Sequence, residues 1–174
     1  GVPLDAEGLD VDALDAAVRD VRASGRRPRL LYTIPTYHNP AGVSLSAPRR
    51  LRLLELARRE DLVLVEDDVY RELAYEGEAP PSLRALDPAA PVIRLGSFSK
   101  SLAPGLRLGW IDAPAALRER LAAYGTLESG GCVSQFSAHV VAALLAAGAY
   151  GAHVAALRHA YAARRSREAL ASIG

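Results

Sequence analysis

The segment "LVLVEDD", residues 62–68, decides the predicted fold. Four consecutive apolar residues, two of them β-branched, precede three carboxylates. Strands of a parallel sheet are apolar on both faces because helices cover both, whereas half-exposed strands alternate apolar and polar residues. The segment therefore predicts a buried strand of a parallel sheet, with acidic side chains where the strand ends.

The flanking segments alternate between helical and extended patterns. Apolar residues recur near a 3.6-residue period in residues 9–25, which end on a glycine, and a second helix is predicted over residues 47–61, after Ser46, a residue type that favours helix N-caps. Further strands are predicted at "RLLYTI" (residues 29–34), at "VIRLGSFSK" ending near Gly96, and at "LRLGWID". Strands and helices in alternation predict an α/β layered domain.

The chain is predicted to be helical beyond Pro114. The segment "CVSQFSAHVVAALLAAG" (residues 132–148) is so apolar that we expect a helix packed inside the domain. Residues 152–174 predict a long amphipathic helix with its arginines on one side.

Composition and charge exclude several classes of protein. With 174 residues, of which 50% are hydrophobic and 24% charged, the chain has the size and balance of one globular domain. Its net charge is +1 and its arginines form no dense run, so we expect no nucleic acid and no membrane as partner. Cys132 is the only cysteine, which leaves no internal disulfide and no cysteine cluster for a metal. Together with an N-terminus that lacks a leader pattern, these features predict a cytoplasmic protein.

Lys100 is the only lysine, and every other Lys or Arg position is an arginine. It lies just past a predicted strand, between two serines. A lysine that only met solvent would be replaceable by arginine. Arginine stays protonated and cannot form a Schiff base, whereas a lysine amine can lose its proton when its pKa is lowered. We therefore predict that Lys100 carries covalent chemistry.

Asp67 and Asp68 end the buried strand, and strand alternation places them on opposite faces, so only one is expected to face a site. A buried carboxylate requires a cationic partner. A protonated ring nitrogen of a cofactor would suit Asp67, while the alternatives are a metal ligand or a helix N-cap. Tyr70 could reach a phenolic oxygen of the same ring with its hydroxyl, or simply pack in the core.

Ser97, Ser99 and Arg107 together indicate an anion site, because two hydroxyls beside a permanently charged bidentate donor match a phosphate. Taken separately, the serines would belong to a turn and Arg107 to a surface ion pair. Asn39, before Pro40, is either a turn residue or an amide that donates to a ring substituent, and its bond to Pro40 could be cis.

Three segments in this order, "YHNPAGVSLS", "VEDDVYRELAY" and "SFSKSLAPGLRLGW", resemble the fold type I pyridoxal-phosphate enzymes, the class I/II aminotransferases. The 2-aminoadipate and kynurenine type branch is the most similar. The resemblance implies a partial three-layer α/β/α large domain in residues 1–148, with residues 149–174 as a long helix leading toward a small domain. It also implies pyridoxal 5'-phosphate as cofactor, an amino acid and a 2-oxo acid as substrates, and a homodimer of full-length chains.

The resemblance assigns a role to each predicted site residue. Lys100 would form the Schiff base with the cofactor and then act as general base. Asp67 would pair with the ring nitrogen, and Asn39 and Tyr70 would bind the phenolic oxygen. The residues implied for the phosphate are Ser97, Ser99 and Arg107.

Parts of the family pattern are not found in these residues: a glycine-rich phosphate loop, an aromatic residue that stacks on the ring, and an arginine that binds the substrate carboxylate. We therefore expect a fragment that binds the cofactor poorly, turns over little or nothing alone, and is poorly soluble where its apolar faces are uncovered.

Three other functions stay open. "SFSK" fits the Ser-x-x-Lys pattern of penicillin-binding proteins and serine β-lactamases, with Ser97 as nucleophile, but their Lys-Thr-Gly is absent and their serine opens a helix, whereas Ser97 follows a strand. Some transcription regulators carry an aminotransferase-like sensor domain, although "HNPAG" and "DDVY" are more similar to the free enzymes. Decarboxylases and carbon–sulfur lyases use the same lysine chemistry.

Overall fold

A computed structural model gives the fold and describes residues 1–125 and 133–171, with side chains as far as Arg165; Cys132 lies outside these residues. The strands are β1 (Leu4–Asp5), β2 (Gly8–Leu9), β3 (Leu30–Thr33), β4 (Val63–Asp67), β5 (Val92–Ser97) and β6 (Gly109–Asp112). The helices are α1 (Val11–Ala23), α2 (Ala47–Arg59), α3 (Leu83–Leu86), α4 (Phe98–Ser101), α5 (Ala115–Ala122), α6 (Gln135–Ala146) and α7 (Ala149–Ala171). Single 3-10 turns lie at Arg71–Leu73 and Pro104–Leu106.

The main sheet has the order β3-β4-β5-β6, and its first three strands are parallel, as the opening segment predicts. Because these strands run the same way, their carboxyl ends lie at one edge of the sheet. β6 is antiparallel to β5. The connection between them, residues 98–108, is shorter than the dozen or more residues that a parallel crossover needs. Gly96 of β5 lies under the indole of Trp110 in β6, where a Cβ atom would collide with the ring.

One face of the sheet is covered by α1, α2 and α3. The predicted period of α1 is confirmed: Leu14 and Val18 are buried against the sheet side, and Asp10 caps the helix by accepting hydrogen bonds from two backbone N–H groups. The core consists of buried residues from these helices, from β2, β4 and β5, and from the adjoining loops. This layer provides the hydrophobic stabilisation that holds the strands in register.

The opposite face has no covering layer among the described residues. Leu30, Tyr32 and Ile111 on this open face are 57%, 53% and 52% exposed. The described residues thus form an α/β sheet with a helical layer on one face, and the second layer of the predicted three-layer domain is not seen among them. We call the two sides the covered face and the open face.

The expectation that the apolar segment after residue 132 packs inside is wrong for the described residues. In α6, Phe136 is 78% and Leu145 49% exposed, and only Ser137 and Val141 are buried. The reason is that α6 packs mainly on α7, and it is α7 that contacts the domain, at residues 72–76 and 98–101. Tyr150 of α7 provides one of these contacts, donating a hydrogen bond of 2.8 Å to the Ser101 hydroxyl.

No single helix in the described part of the chain is long and apolar enough to cross a membrane, although α6 and residues 149–165 of α7, bent by 85° at their junction, pass that test of length and composition as a pair.

Candidate active site

Three predicted site residues meet at the carboxyl edge of the parallel strands. The amide nitrogen Nδ2 of Asn39 donates to the Tyr70 hydroxyl at 3.2 Å. The amine Nζ of Lys100 lies 5.7 Å from the centroid of the Tyr70 ring. These residues follow β3, β4 and β5 respectively, so the parallel order of the strands brings together side chains that are far apart in the sequence.

Hydrogen bonds within the loop that carries Asn39 join the residues before Asn39 to the residues after it. The backbone N–H of His38 donates to the Val43 carbonyl at 2.8 Å, and the N–H of Tyr37 donates to the Ser44 hydroxyl at 3.0 Å. The Asn39–Pro40 peptide is cis, one of the two forms that the sequence allowed. The loop therefore presents Asn39 from a closed, internally bonded turn.

Asp67 lies on the open face of β4, and only one of its two carboxylate oxygens accepts a hydrogen bond from a described residue. Its Oδ2 accepts a hydrogen bond of 2.5 Å from the Tyr32 hydroxyl, and this bond raises the pKa of Tyr32 to about 12. Its Oδ1 is buried and has no hydrogen-bond partner within the described residues. A buried oxygen of this kind is costly unless a donor reaches it, so Asp67 can accept one further N–H group.

Asp68 points to the covered face, which confirms that the two acids face opposite ways. Its Oδ2 lies 2.8 Å from both Nε and Nη2 of Arg94 and 3.7 Å from the Arg71 guanidinium. Burial raises the pKa of the Asp68 carboxyl, and the charge of Arg94 opposes that rise. Asp68 is therefore a buried ion-pair partner beneath the site. In the described ranges no cluster of three or more His, Cys, Asp or Glu side chains offers a metal site.

Ser97 both ends β5 and opens α4, the short helix that contains Lys100. Its Oγ accepts a hydrogen bond of 3.1 Å from the backbone N–H of Ser99, as an N-cap residue does. The expectation that Ser97 follows a strand without opening a helix is therefore wrong, because the chain turns into α4 directly at the strand end. The Ser97 hydroxyl can still donate its own proton to a ligand.

Arg107 makes no described hydrogen bond to either of the two serines. It is exposed, it has a left-handed backbone (φ 50°), and its Nη1 donates to the Pro104 carbonyl at 3.4 Å. Within residues 1–125 and 133–165 no hydrogen bond or ion pair joins Arg107 to Ser97 or Ser99. The three residues predicted to bind a phosphate therefore lie in α4 or close to it in the chain, but no described hydrogen bond or ion pair links Arg107 to the serines.

A cleft of about 710 Å³ opens beside Asn39 and Tyr70. The rings of Tyr75 and Tyr161 stack at its wall with centroids 6.5 Å apart, and Glu76 and Arg165 form an ion pair at its rim. The site therefore adjoins a space lined by aromatic rings.

Sequence reasoning missed Tyr32 as a partner of Asp67. The register pairs Tyr32 with Val65, which places Asp67 two residues further along the same face. The signal available in the sequence is a phenol in an otherwise apolar predicted strand. Its partner depends on strand register, which the sequence pattern does not fix.

Comparison with known proteins places this geometry in a family. A family model described as aminotransferase class I and II matches residues 2–172. Aromatic-amino-acid aminotransferase 1 of Thermococcus litoralis is 40% identical over 165 residues, which cover 94% of this chain and 39% of that protein. HTH-type transcriptional regulators of Bacillus subtilis are also among the relatives.

Solved structures agree with the sequence matches. The multiple substrate aminotransferase from Thermococcus profundus has a TM-score of 0.87 at 37% identity, covering 95% of this chain and 41% of that one. The alpha-aminoadipate aminotransferase LysN from Thermus thermophilus, solved with N-(5'-phosphopyridoxyl)-L-leucine, has a TM-score of 0.78 at 36% identity, covering 91% and 40%.

The chain spans about 40% of the length of these relatives. The cofactor that the family implies is pyridoxal 5'-phosphate. The match over nearly all of this sequence, at these identities and in the same fold, shows that the chain belongs to the class I and II aminotransferases.

Proposed function

We propose that the protein containing this chain is a pyridoxal 5'-phosphate-dependent aminotransferase, which moves an amino group between an amino acid and a 2-oxo acid. The observation that carries the proposal is the buried, unpartnered Oδ1 of Asp67, which lies at the same sheet edge as the only lysine of the chain. Asp68 also has an unpartnered oxygen, but only Asp67 lies on the open face, where a protonated ring nitrogen could donate to it.

The residues present fit the cofactor. Lys100 is the one side-chain amine that can hold the aldehyde carbon covalently. Asp67 would accept the ring N–H, while Asn39 and Tyr70, already bonded to each other, would bind the phenolic oxygen. The hydroxyls and the guanidinium that would hold the phosphate are those of Ser97, Ser99 and Arg107.

The chemistry divides between the cofactor and the chain. When bound, pyridoxal phosphate supplies an electron sink for negative charge at the substrate α-carbon. The Nζ amine of Lys100 would act as general base, taking the proton from the substrate α-carbon and delivering it to the cofactor carbon on the other side of the shared nitrogen. The Asp67 carboxylate would keep the ring nitrogen protonated, and Tyr32 keeps the Asp67 side chain oriented by its hydrogen bond. Tyr70 and Asn39 would orient the ring by binding its phenolic oxygen.

Borohydride reduction tests the covalent assignment. Reducing the full-length protein in the presence of pyridoxal phosphate should add one phosphopyridoxyl group to the peptide that contains Lys100, as measured by mass spectrometry. Lys100→Arg keeps the charge and removes the primary amine, so it should lose the label and lower turnover about 10²- to 10⁴-fold. A label on another residue, or none in the unmodified protein, would contradict the proposal.

A second candidate is an aminotransferase-like sensor domain, which the regulator relatives favour. Both candidates keep the lysine, so the discriminating measurement is catalytic. Release of a 2-oxo acid from an amino acid, dependent on a second 2-oxo acid, supports transamination. Carbon dioxide or a thiol as product would instead indicate a decarboxylase or a carbon–sulfur lyase. The serine acyl-enzyme alternative on Ser97 is set aside because the chain belongs to a different family.

The homodimer and the cytoplasmic location are parts of the same proposal. The homodimer follows from the resemblance and is tested by light scattering of the full-length protein during gel filtration. A cytoplasmic location is supported by the single cysteine, since proteins of reducing compartments rarely depend on disulfides. Cell fractionation tests it.

A further inference from the structure

Arg50 is a fully buried arginine that belongs to none of the groups described above. It lies in the first turn of α2 and is 0% exposed. In the described part of the chain it is the largest side chain that is fully buried. Burying a guanidinium without hydrogen-bond partners costs free energy. The partners of Arg50 therefore indicate its structural role.

Three of the four hydrogen bonds of Arg50 go to the base of the loop that carries Asn39. Its Nε donates to the Leu45 carbonyl at 2.9 Å. Its Nη2 donates to the Pro35 carbonyl at 2.5 Å and to the Thr36 hydroxyl at 3.0 Å. Pro35 and Leu45 are the two ends of this loop, and Arg50 therefore clamps both ends to α2.

The fourth hydrogen bond reaches the segment that follows Tyr70. The Nη1 of Arg50 donates to the Pro81 carbonyl at 3.1 Å. Arg71, next to Tyr70, closes this segment by donating to the carbonyls of Ala79, at 3.1 Å, and Pro80. One guanidinium thus joins the two loops that supply Asn39 and Tyr70.

Filling space in the core does not require a charged side chain such as that of Arg50. Burial lowers the pKa of its guanidinium, and the carboxylates of Glu66 and Asp68 oppose this effect. Replacing a buried charged group by an apolar residue of similar volume is often neutral or stabilising. What an apolar residue cannot do is direct four hydrogen bonds from a rigid planar fork to two different loops.

We propose that Arg50 is a positioning residue that sets the alignment of Asn39 with Tyr70 and, through it, their grip on the phenolic oxygen of the cofactor. The proposal rests on the proposed function. It adds a residue that acts from beneath the site, through the backbone of both loops, without touching the cofactor.

Arg50→Met tests the role, and two variants on the same helix serve as controls. Leu53→Ala removes a core side chain that is 1% exposed and lowers stability without removing a hydrogen bond to either loop, whereas Arg52→Met removes an exposed arginine paired with Asp12. In the full-length protein, Arg50→Met should raise the Kd for pyridoxal phosphate about tenfold, and the controls should leave it within about twofold. Where Arg50→Met fails to fold, Arg50→Lys keeps the charge and loses the fork, and the same rise is expected.

A double-mutant cycle separates positioning from general destabilisation. If Arg50 acts through Asn39, its substitution should raise Kd much less in an Asn39→Ala background than in the unmodified protein. Additive effects of the two substitutions, or a rise in Kd with Leu53→Ala as large as that with Arg50→Met, would overturn the proposal.

Hydrogen exchange gives a readout that needs no cofactor. The loop amides of His38 and Gly42 should exchange faster in Arg50→Met relative to the sheet amide of Leu64, and this ratio should be unchanged in Leu53→Ala. Unchanged loop exchange in Arg50→Met would refute the clamp. If the clamp is present while Lys100 takes no label on reduction, the proposed function fails and the assignment of Arg50 to a cofactor role fails with it.

Discussion

The two faces of the central sheet differ in what their polar groups contact. On the covered face, Asp68 is enclosed, and its Oδ2 is bound to Arg94 while its Oδ1 has no hydrogen-bond partner among the described residues. On the open face, Asp67 of the same strand has one oxygen bonded to Tyr32 and the other likewise unpartnered. The two carboxylates therefore differ in their partners and in what can reach them: Asp68 has a cationic partner on the helix-covered side, whereas Asp67 has a neutral phenol as partner and faces the side that no described layer covers.

The difference shows how a parallel sheet combines stability with a site. The helical layer on the covered face excludes water and fixes the strand ends. The carboxyl edge of the sheet then presents side chains from three strand ends, and the covered face holds those strands in position. If the two faces differ in this way, substitutions on the covered face should lower stability most.

Removing Arg94 should damage the covered face most. Arg94→Met leaves the buried Asp68 with Arg71 at 3.7 Å and with the charge of Arg50, but with no hydrogen-bonded cation, and breaking a buried pair in this way lowers the free energy of unfolding by about 3–5 kcal/mol. Urea unfolding at pH 7 measures the loss. Arg118→Met, at an exposed site on α5, is the matched control and should leave stability unchanged.

The deficit of Arg94→Met should shrink as the pH falls. Burial raises the pKa of Asp68 above 3.8, so between that value and its folded value the native state binds more protons than the unfolded state, and stability increases on acidification. Arg94 lowers the pKa of Asp68, so removing Arg94 should raise that pKa further and extend the pH range in which acidification increases stability. A deficit that is independent of pH from 7 to 4 would show that Asp68 is not the group left unpaired.

The same leucine truncation on the two faces should have unequal effects. Leu64→Ala, at a residue that is 0% exposed on the covered face, should lower the free energy of unfolding by about 2–5 kcal/mol. Leu30→Ala, at a residue that is 57% exposed on the open face, should lower it by less than about 1 kcal/mol. Equal losses in the full-length protein would mean that another layer covers the open face there.

The smallest expected effect is at Tyr32. Its phenol, with a pKa of about 12, keeps its proton while the unfolded chain loses it near 10, so the stability that Tyr32 contributes is constant below pH 10 and is lost between pH 10 and 12. Tyr32→Phe should therefore remove one late-ionising tyrosine from an absorbance titration. Asp67→Asn should shift that ionisation to lower pH, and no shift would contradict the Tyr32–Asp67 bond.

Most of the element order could be predicted from the sequence. The continuous apolar run before Asp67, the period of α1 and the loop around Asn39 are local patterns, and each gave the right element to within a few residues. The position of Lys100 just past a strand end could be predicted for the same reason. The role of each site residue toward the cofactor stays a prediction.

Other features could not be predicted because they depend on contacts between distant segments. The composition of the segment that forms α6 shows that the helix is apolar. Whether its surface is buried depends on which other segments pack against it, and Phe136 is mostly exposed. The sequence also gives Arg50 the appearance of an ordinary charged helix residue. Only the fold shows that its guanidinium lies beneath two loops.

The sequence predicts the alternation of strands and helices, the placement of polar residues at strand ends and the single amine among arginines, because each depends on the order of neighbouring residues. Three features appear only in the folded chain: the carboxylate that faces the site, the hydrogen bond from Tyr32 to Asp67, and the link that Arg50 makes between the loops of Asn39 and Tyr70. These depend on strand register and on side-chain packing between segments far apart in the chain, and local periodicity carries no information about either.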